Sequence, residues 1–284
     1  MKVEIDIAKI RRNIAKAESL INSSISLMFK DFYEDIFSHL GTVKNQIFSK
    51  NIDGSVCYSL FNGKRNHSGC FVTTYGDFVT NYIVNGTRVF YIPINANDNR
   101  EGLSIQQAVQ LCKEIKDYDS KVKLYGAITS GCLDEKHPSS EELEDIWKHL
   151  SKYVISLSIG GSFWLAKGEL PTYVSDVRIG EYMLFGTIPF DTSEELLGEN
   201  AIKIKSKVIG IYPERNQLII DCGYSLADVK NCKLNKDGLR FVNTSSEYSI
   251  FEMENCDIKV GDEIELVPDY KSLVKLKDAK RYYI

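Results

Sequence analysis

The feature that most constrains this chain is a change of hydrophobic rhythm after Asp191. Before it, apolar residues come in short, nearly continuous runs at 25–29, 56–60, 70–73, 89–94, 124–128, 154–158 and 177–180. A strand covered on both faces has no polar side to alternate with, so such runs imply burial between layers, and helices between them imply parallel pairing. Helical spacing does lie between them. Asp6 can cap a helix whose apolar face is Ile7, Ile10, Ile14 and Ile21. Ser104 with Gln107, and Ser139 with Glu142, form capping boxes ahead of two further amphipathic segments. The alternation predicts an α/β fold, a (β/α)8-type barrel. Seven runs are visible, so either an eighth strand is hidden or the barrel is reduced. From Ala201 onward the residues alternate, as in Ile202-Lys203-Ile204-Lys205, with turn signals at Lys236-Asp237-Gly238 and Val260-Gly261-Asp262. That pattern predicts an antiparallel β domain. The expected division is a barrel over 6–194 and a β domain over 195–284, to which residues 1–5 add a strand.

Composition narrows the function classes. Of 284 residues, 26% are charged and the net charge is −4 with both signs interspersed, so no basic stripe is available for nucleic acid. The opening MKVEIDIAKI has no apolar leader core, and no stretch of about 18 apolar residues occurs. A cytoplasmic protein without a membrane span is expected. The seven cysteines (Cys57, Cys70, Cys112, Cys132, Cys222, Cys232, Cys256) form no C-x-x-C pair, and the four histidines form no H-E-x-x-H pattern. Reduced thiols and no metal site are expected.

Three segments carry chemistry. Ser26-Leu27-Met28-Phe29-Lys30 places a lysine at the end of the first apolar run, and in a parallel barrel the C-terminal strand ends form the active-site mouth. An amine there can be lowered in pKa by burial and can form an imine with a carbonyl cofactor. Lysines at strand ends also simply reach for solvent. Leu157-Ser158-Ile159-Gly160-Gly161-Ser162 lets backbone N–H groups approach an anion, with a hydroxyl as a further donor. Val177-Arg178-Ile179-Gly180-Glu181 ends a strand in glycine ahead of a short helix, whose first amides can receive phosphate. Each also reads as a tight strand-to-helix turn. Two such turns on neighbouring late strands match the usual barrel phosphate site.

On these segments the chain resembles the fold-type III pyridoxal phosphate enzymes of the alanine racemase superfamily, and bacterial ornithine racemases in particular. The resemblance runs through Val3-Glu4-Ile5-Asp6-Ile7, Met28-Phe29-Lys30, Asp98-Asn99-Arg100-Glu101-Gly102, Lys167-Gly168-Glu169-Leu170-Pro171, Val177-Arg178-Ile179-Gly180-Glu181 and Lys259-Val260-Gly261-Asp262-Glu263. It implies pyridoxal 5′-phosphate held as a Schiff base on Lys30. Arg100 would reach the cofactor's phenolic oxygen or the substrate, and Arg178 would face the pyridine nitrogen. The phosphate would lie among Ser158, Gly160, Gly161, Ser162, Gly180 and Glu181, with Tyr270 reaching it. A guanidinium does not give up its proton, so the ring nitrogen stays unprotonated and proton exchange between two bases is favoured. The implied activity is racemisation of a free amino acid, ornithine or another basic one, in a homodimer whose β domain closes the partner's barrel mouth.

The departures from the family pattern bear on the reaction. Asp31-Phe32-Tyr33-Glu34 shifts the tyrosine that follows the lysine by one position, and the loop that supplies a tyrosine base is shortened between Ile211 and Leu218. Tyr33 is the first candidate for a replacement base, with Cys132 and Tyr224 behind it. Asp221-Cys222-Gly223-Tyr224 resembles D-threonine aldolase-like relatives, whose metal-binding segment becomes Tyr270-Lys271-Ser272. Two alternatives stay open: a lyase (retro-aldol, elimination or decarboxylation) and a non-catalytic cofactor carrier.

Overall fold

Local signals set the first elements as expected. In β1 (Lys2–Ile5) the alternating Val3 and Ile5 are buried, and α1 (Ile7–Leu20) starts where Asp6 Oδ1 accepts the Lys9 N–H at 3.0 Å. The computed structural model describes residues 1–30, 35–41, 46–52, 55–62, 65–71, 77–96, 102–129, 137–188, 193–269, 271–276 and 279–284. After α1 come β2 (Ser24–Lys30), α2 (Ile36–Leu40), β3 (Gln46–Ile52), β4 (Ser55–Asn62), β5 (Arg65–Phe71), α3 (Asp77–Val84), β6 (Val89–Ile94), α4 (Ile105–Tyr118) and β7 (Lys123–Thr129). Then follow α5 (Ser140–Leu150), β8 (Leu157–Gly160), a 3-10 helix Ser162–Lys167, β9 (Val174–Ile179) and α6 (Glu181–Phe185). Strands β2 to β9 form a closed barrel.

The barrel has eight strands, and the one without a sequence signal is β3. Its Gln-Ile-Phe-Ser-Lys-Asn-Ile lacks an unbroken apolar run. The expectation of parallel pairing throughout is corrected at β4. β4 runs antiparallel to both β3 and β5, whereas β5–β6–β7–β8–β9–β2–β3 are joined in parallel. The physical reason lies in the connections. Ile52 pairs with Ser55 and Asn62 with Arg65, leaving only Asp53-Gly54 and Gly63-Lys64 between strands. Two residues cannot make a parallel crossover, and Asp-Gly favours a two-residue hairpin. The expected run 154–158 also starts early. Val154 N–H still bonds back to Leu150 O at 3.0 Å, so the strand begins at Leu157.

Both capping boxes are formed. Ser104 and Gln107, and Ser139 and Glu142, exchange side-chain and backbone hydrogen bonds. These helices lay Ala108, Leu111, Cys112 and Ile115, and Leu143, Ile146 and Leu150, into the core.

The C-terminal part is the expected antiparallel β domain. It comprises β10 (Ile202–Tyr212), β11 (Gln217–Ile220), β12 (Lys233–Leu234), β13 (Leu239–Thr244), β14 (Ser249–Met253), β15 (Glu263–Val267) and β16 (Arg281–Tyr283). The sheet order is β12-β15-β10-β11-β14-β13, and β1 joins it between β10 and β16. Tyr212 pairs with Gln217, so only a 3-10 turn and left-handed Asn216 connect β10 to β11. The shortened 211–218 region is thus a tight hairpin. The chain divides into two compact units, 14–183 with 187–197, and 1–13 with 184–186 and 198–284.

Candidate cofactor site

Strand alternation decides which side chains share the barrel interior. In β2, Phe29 stacks edge-on against Phe37 of α2 at 5.9 Å, so Ile25, Leu27 and Phe29 face the helices. Positions 24, 26 and 28 therefore fall on the inner face. Register extends that face across the barrel wall. One row is Ser24, Asp176, Ser158 and Ala127, and the next row toward the C-terminal strand ends is Ser26, Arg178, Gly160 and position 129. Lys30 closes β2 at that same end.

Arg178 dominates the upper row. It is 4% exposed, its Nη2 donates to the Ile128 carbonyl at 3.0 Å, and its Nη1 donates to Ser158 Oγ at 3.4 Å. To reach Ile128 the guanidinium crosses Gly160, where an added Cβ would lie 3.0 Å from Nη2. Gly160 thus makes room for a buried cation. Below it, Ser158 Oγ donates to Asp176 Oδ2 at 2.9 Å, and Ser175 Oγ lies 3.0 Å from Asp176 Oδ1. Tyr125 stacks on Tyr91 at 5.4 Å; burial, with the Asp176 charge adding to it, pushes the Tyr125 phenol up.

The two late turns meet. Gly161, at φ +119, donates its N–H to the Arg178 carbonyl at 3.0 Å, and Ser162 Oγ accepts the Tyr182 N–H at 3.1 Å. That bond joins the turn after β8 to the first turn of α6. As the acceptor in it, Ser162 keeps its hydroxyl proton to donate elsewhere. Gly180 and Glu181 stand between Arg178 and Tyr182, and the Glu181 carboxylate accepts from Thr187 Oγ1 at 3.2 Å. Tyr182 is fully buried, which pushes its phenol up to about 12, and its hydroxyl donates to Leu196 O at 2.7 Å.

Of the residues singled out in the sequence, Ser158, Gly160, Gly161, Ser162, Arg178, Gly180 and Glu181 are brought together on the β8 and β9 ends. The Lys30 backbone ends β2, the strand paired with β9. Tyr33, Arg100, Cys132 and Tyr270 lie outside the described residues. Tyr224 is exposed in the 198–284 unit. Asp176 was missed. Its signal was present, since Asp176 and Arg178 are two apart in a strand whose other residues near this end are apolar, which puts opposite charges on one face. Among the described residues no group of three or more His, Cys, Asp or Glu is placed to hold a metal ion.

The donor set suits a phosphorylated heteroaromatic aldehyde. Such a group requires an amine for the aldehyde, donors for the phosphate and a polar partner for the ring nitrogen. A lysine position at a strand end, two glycine turns joined through Ser162, and a buried guanidinium over Gly160 meet those requirements. The fold itself belongs to the alanine racemase-like class, a (β/α) barrel followed by a β domain. Alanine racemase from Bartonella henselae with covalently bound pyridoxal phosphate aligns at TM-score 0.72 and 16% identity, covering 99% of this chain and 98% of that one. D-threo-3-hydroxyaspartate dehydratase from Delftia sp. HT23 aligns at TM-score 0.69 and 12% identity, covering 99% and 93%. In sequence, the D-serine dehydratase of Dictyostelium discoideum is 24% identical over 151 residues, 44% of this chain but only 38% of that enzyme's length. No family model matches.

Proposed function

We propose that this protein is a pyridoxal 5′-phosphate-dependent racemase of a free amino acid, with ornithine or another basic amino acid as the substrate class. The observation that carries the reading is the convergence of the Lys30 strand end, the buried Arg178 and the Gly161-Ser162 and Gly180-Glu181 turns on one end of the barrel. When bound, the cofactor supplies an electron sink that acidifies the α-C–H of an amino acid joined to it. Lys30 holds it covalently and moves the α-proton on one face. Arg178 donates to the ring nitrogen and keeps its own proton, which leaves that nitrogen unprotonated. The Gly161-Ser162 and Gly180-Glu181 turns take the phosphate through the backbone N–H groups of Gly180-Glu181 and the Ser162 hydroxyl, while the Gly161 N–H holds the Arg178 carbonyl and fixes the turn. Arg100 and Tyr270 complete the binding set, and Tyr33 serves the opposite face as the second base. The assembly is a cytoplasmic homodimer in which Tyr270 approaches the phosphate.

A lyase is the second reading, and one finding favours it. The sequence relative is a D-serine dehydratase, and a D-threo-3-hydroxyaspartate dehydratase is among the structural neighbours. The tight β10–β11 hairpin is consistent with it too, because elimination does not require a base on both faces. Incubating the protein with each amino acid in D₂O separates the two. Racemisation gives α-deuterated substrate of both configurations. Ammonia and a keto acid, an aldehyde or carbon dioxide, without the opposite enantiomer, would replace the racemase by the lyase.

A further inference from the structure

We infer that Asp176 is a positioning residue for the cofactor end of Arg178, acting through Ser158; this rests on the pyridoxal phosphate reading above. Asp176 and Ser158 are register partners on β9 and β8, one row below Arg178 and Gly160. Ser158 is fully buried and its hydroxyl has a single proton, given to Asp176 Oδ2 at 2.9 Å. The lone pairs of Oγ are then the part of Ser158 available to Arg178, and Nη1 approaches them at 3.4 Å. Reversing that hydroxyl would aim a proton at a buried cation, so the direction of the Ser158–Asp176 bond decides whether Ser158 attracts or repels the guanidinium.

The carboxylate is itself held. Ser175 Oγ accepts from Ser156 Oγ at 2.8 Å and lies 3.0 Å from Oδ1, nearer than the Leu157 carbonyl at 3.3 Å, so each carboxylate oxygen of Asp176 has a hydroxyl beside it. Hydroxyl donation to an ionised carboxylate is among the stronger hydrogen bonds, and such chains reinforce one another. With its other end on the Ile128 carbonyl and its middle over Gly160, Arg178 is located from three strands, β7, β8 and β9. A side chain buried this way keeps one position, which a partner for a ring nitrogen requires. Asp176 also lends charge balance to a cation that burial would otherwise penalise.

The test uses full-length protein reconstituted with pyridoxal phosphate, comparing Asp176→Ala, Asp176→Asn, Ser158→Ala and the double variant Asp176→Ala/Ser158→Ala. Readouts are the visible absorbance of the bound cofactor against pH and its dissociation rate. Asp176→Ala should speed dissociation about tenfold, the loss expected for one charge-assisted hydrogen bond, and shift the absorbance–pH profile. Ser158→Ala should do the same, and the double variant should be no worse than either single one, because both act along one chain. Asp176→Asn, which keeps the shape and one acceptor, should fall between wild type and Asp176→Ala. Thermal unfolding of each variant reports whether the barrel is intact. Cofactor bound to wild type but unchanged in profile and dissociation in folded Asp176→Ala overturns this inference alone, as do additive effects. Failure of wild type to retain cofactor overturns the functional reading itself.

Discussion

Two arcs of the same barrel follow different rules. From β6 to β9 and on to β2 every neighbour is parallel, and α4 and α5 bury apolar stripes beside β6 to β8. From β3 to β5 the chain turns back twice with two residues between strands, leaving no length for a covering helix. The difference teaches where function can reside. Parallel strands deliver their C-terminal ends to one mouth, and the buried Arg178, Gly160 and the joined turns all belong to that arc. A strand running the other way, such as β4, presents its N-terminal end there instead.

Breaking the parallel arc where the Arg178 guanidinium crosses it should have the largest effect. Gly160→Val puts carbon where the Arg178 guanidinium lies, so cofactor retention should be lost, with a stability cost of about 1–3 kcal/mol for overpacking. Absorbance after gel filtration and denaturant unfolding check both, and undiminished retention would remove Gly160 from the site. Next in size, amide hydrogen exchange should be slower in β7–β9 than in β3–β5 by about tenfold or more, since helix-covered strands open only with larger units. Equal protection would erase the contrast between arcs.

Ser139→Ala should cost about 1 kcal/mol by uncapping α5, and Ser104→Ala a similar amount for α4. Exchange should then quicken in β6–β8 and stay unchanged in β3–β5. The smallest effect concerns Cys112 of α4, whose thiol burial pushes up from the ordinary thiol range to about 12. The folded state favours the neutral thiol, so this contribution is intact below pH 9 and fades as pH rises toward 12. The melting-temperature advantage of wild type over Cys112→Ala should therefore narrow over that range. A gap that widens would contradict the burial.

Legibility followed the same division. Where strands alternate with helices, unbroken apolar runs and the Ser104 and Ser139 capping boxes marked the elements, and the change after Asp191 announced the β domain. The antiparallel β4 was misread because apolar run 56–60 looks the same in either direction. Its direction was written in Asp53-Gly54 and Gly63-Lys64, which outweigh the run because two residues cannot carry a crossover. β3 was invisible because Ser49-Lys50-Asn51 interrupts its apolar residues. In the site, glycine spacing and Arg178 were readable. That Gly160 seats Arg178, and that Ser158 belongs to the barrel interior with Asp176, follow from register across strands, which one strand's sequence does not contain.

The central claim is that Lys30, at the end of the first barrel strand, carries the cofactor. Borohydride reduction of the pyridoxal phosphate-loaded protein, followed by proteolysis and mass spectrometry of the peptides, tests it directly. The account predicts a single phosphopyridoxyl adduct on Lys30, lost in Lys30→Ala. An adduct on another lysine, or none in protein that stays folded, would contradict it.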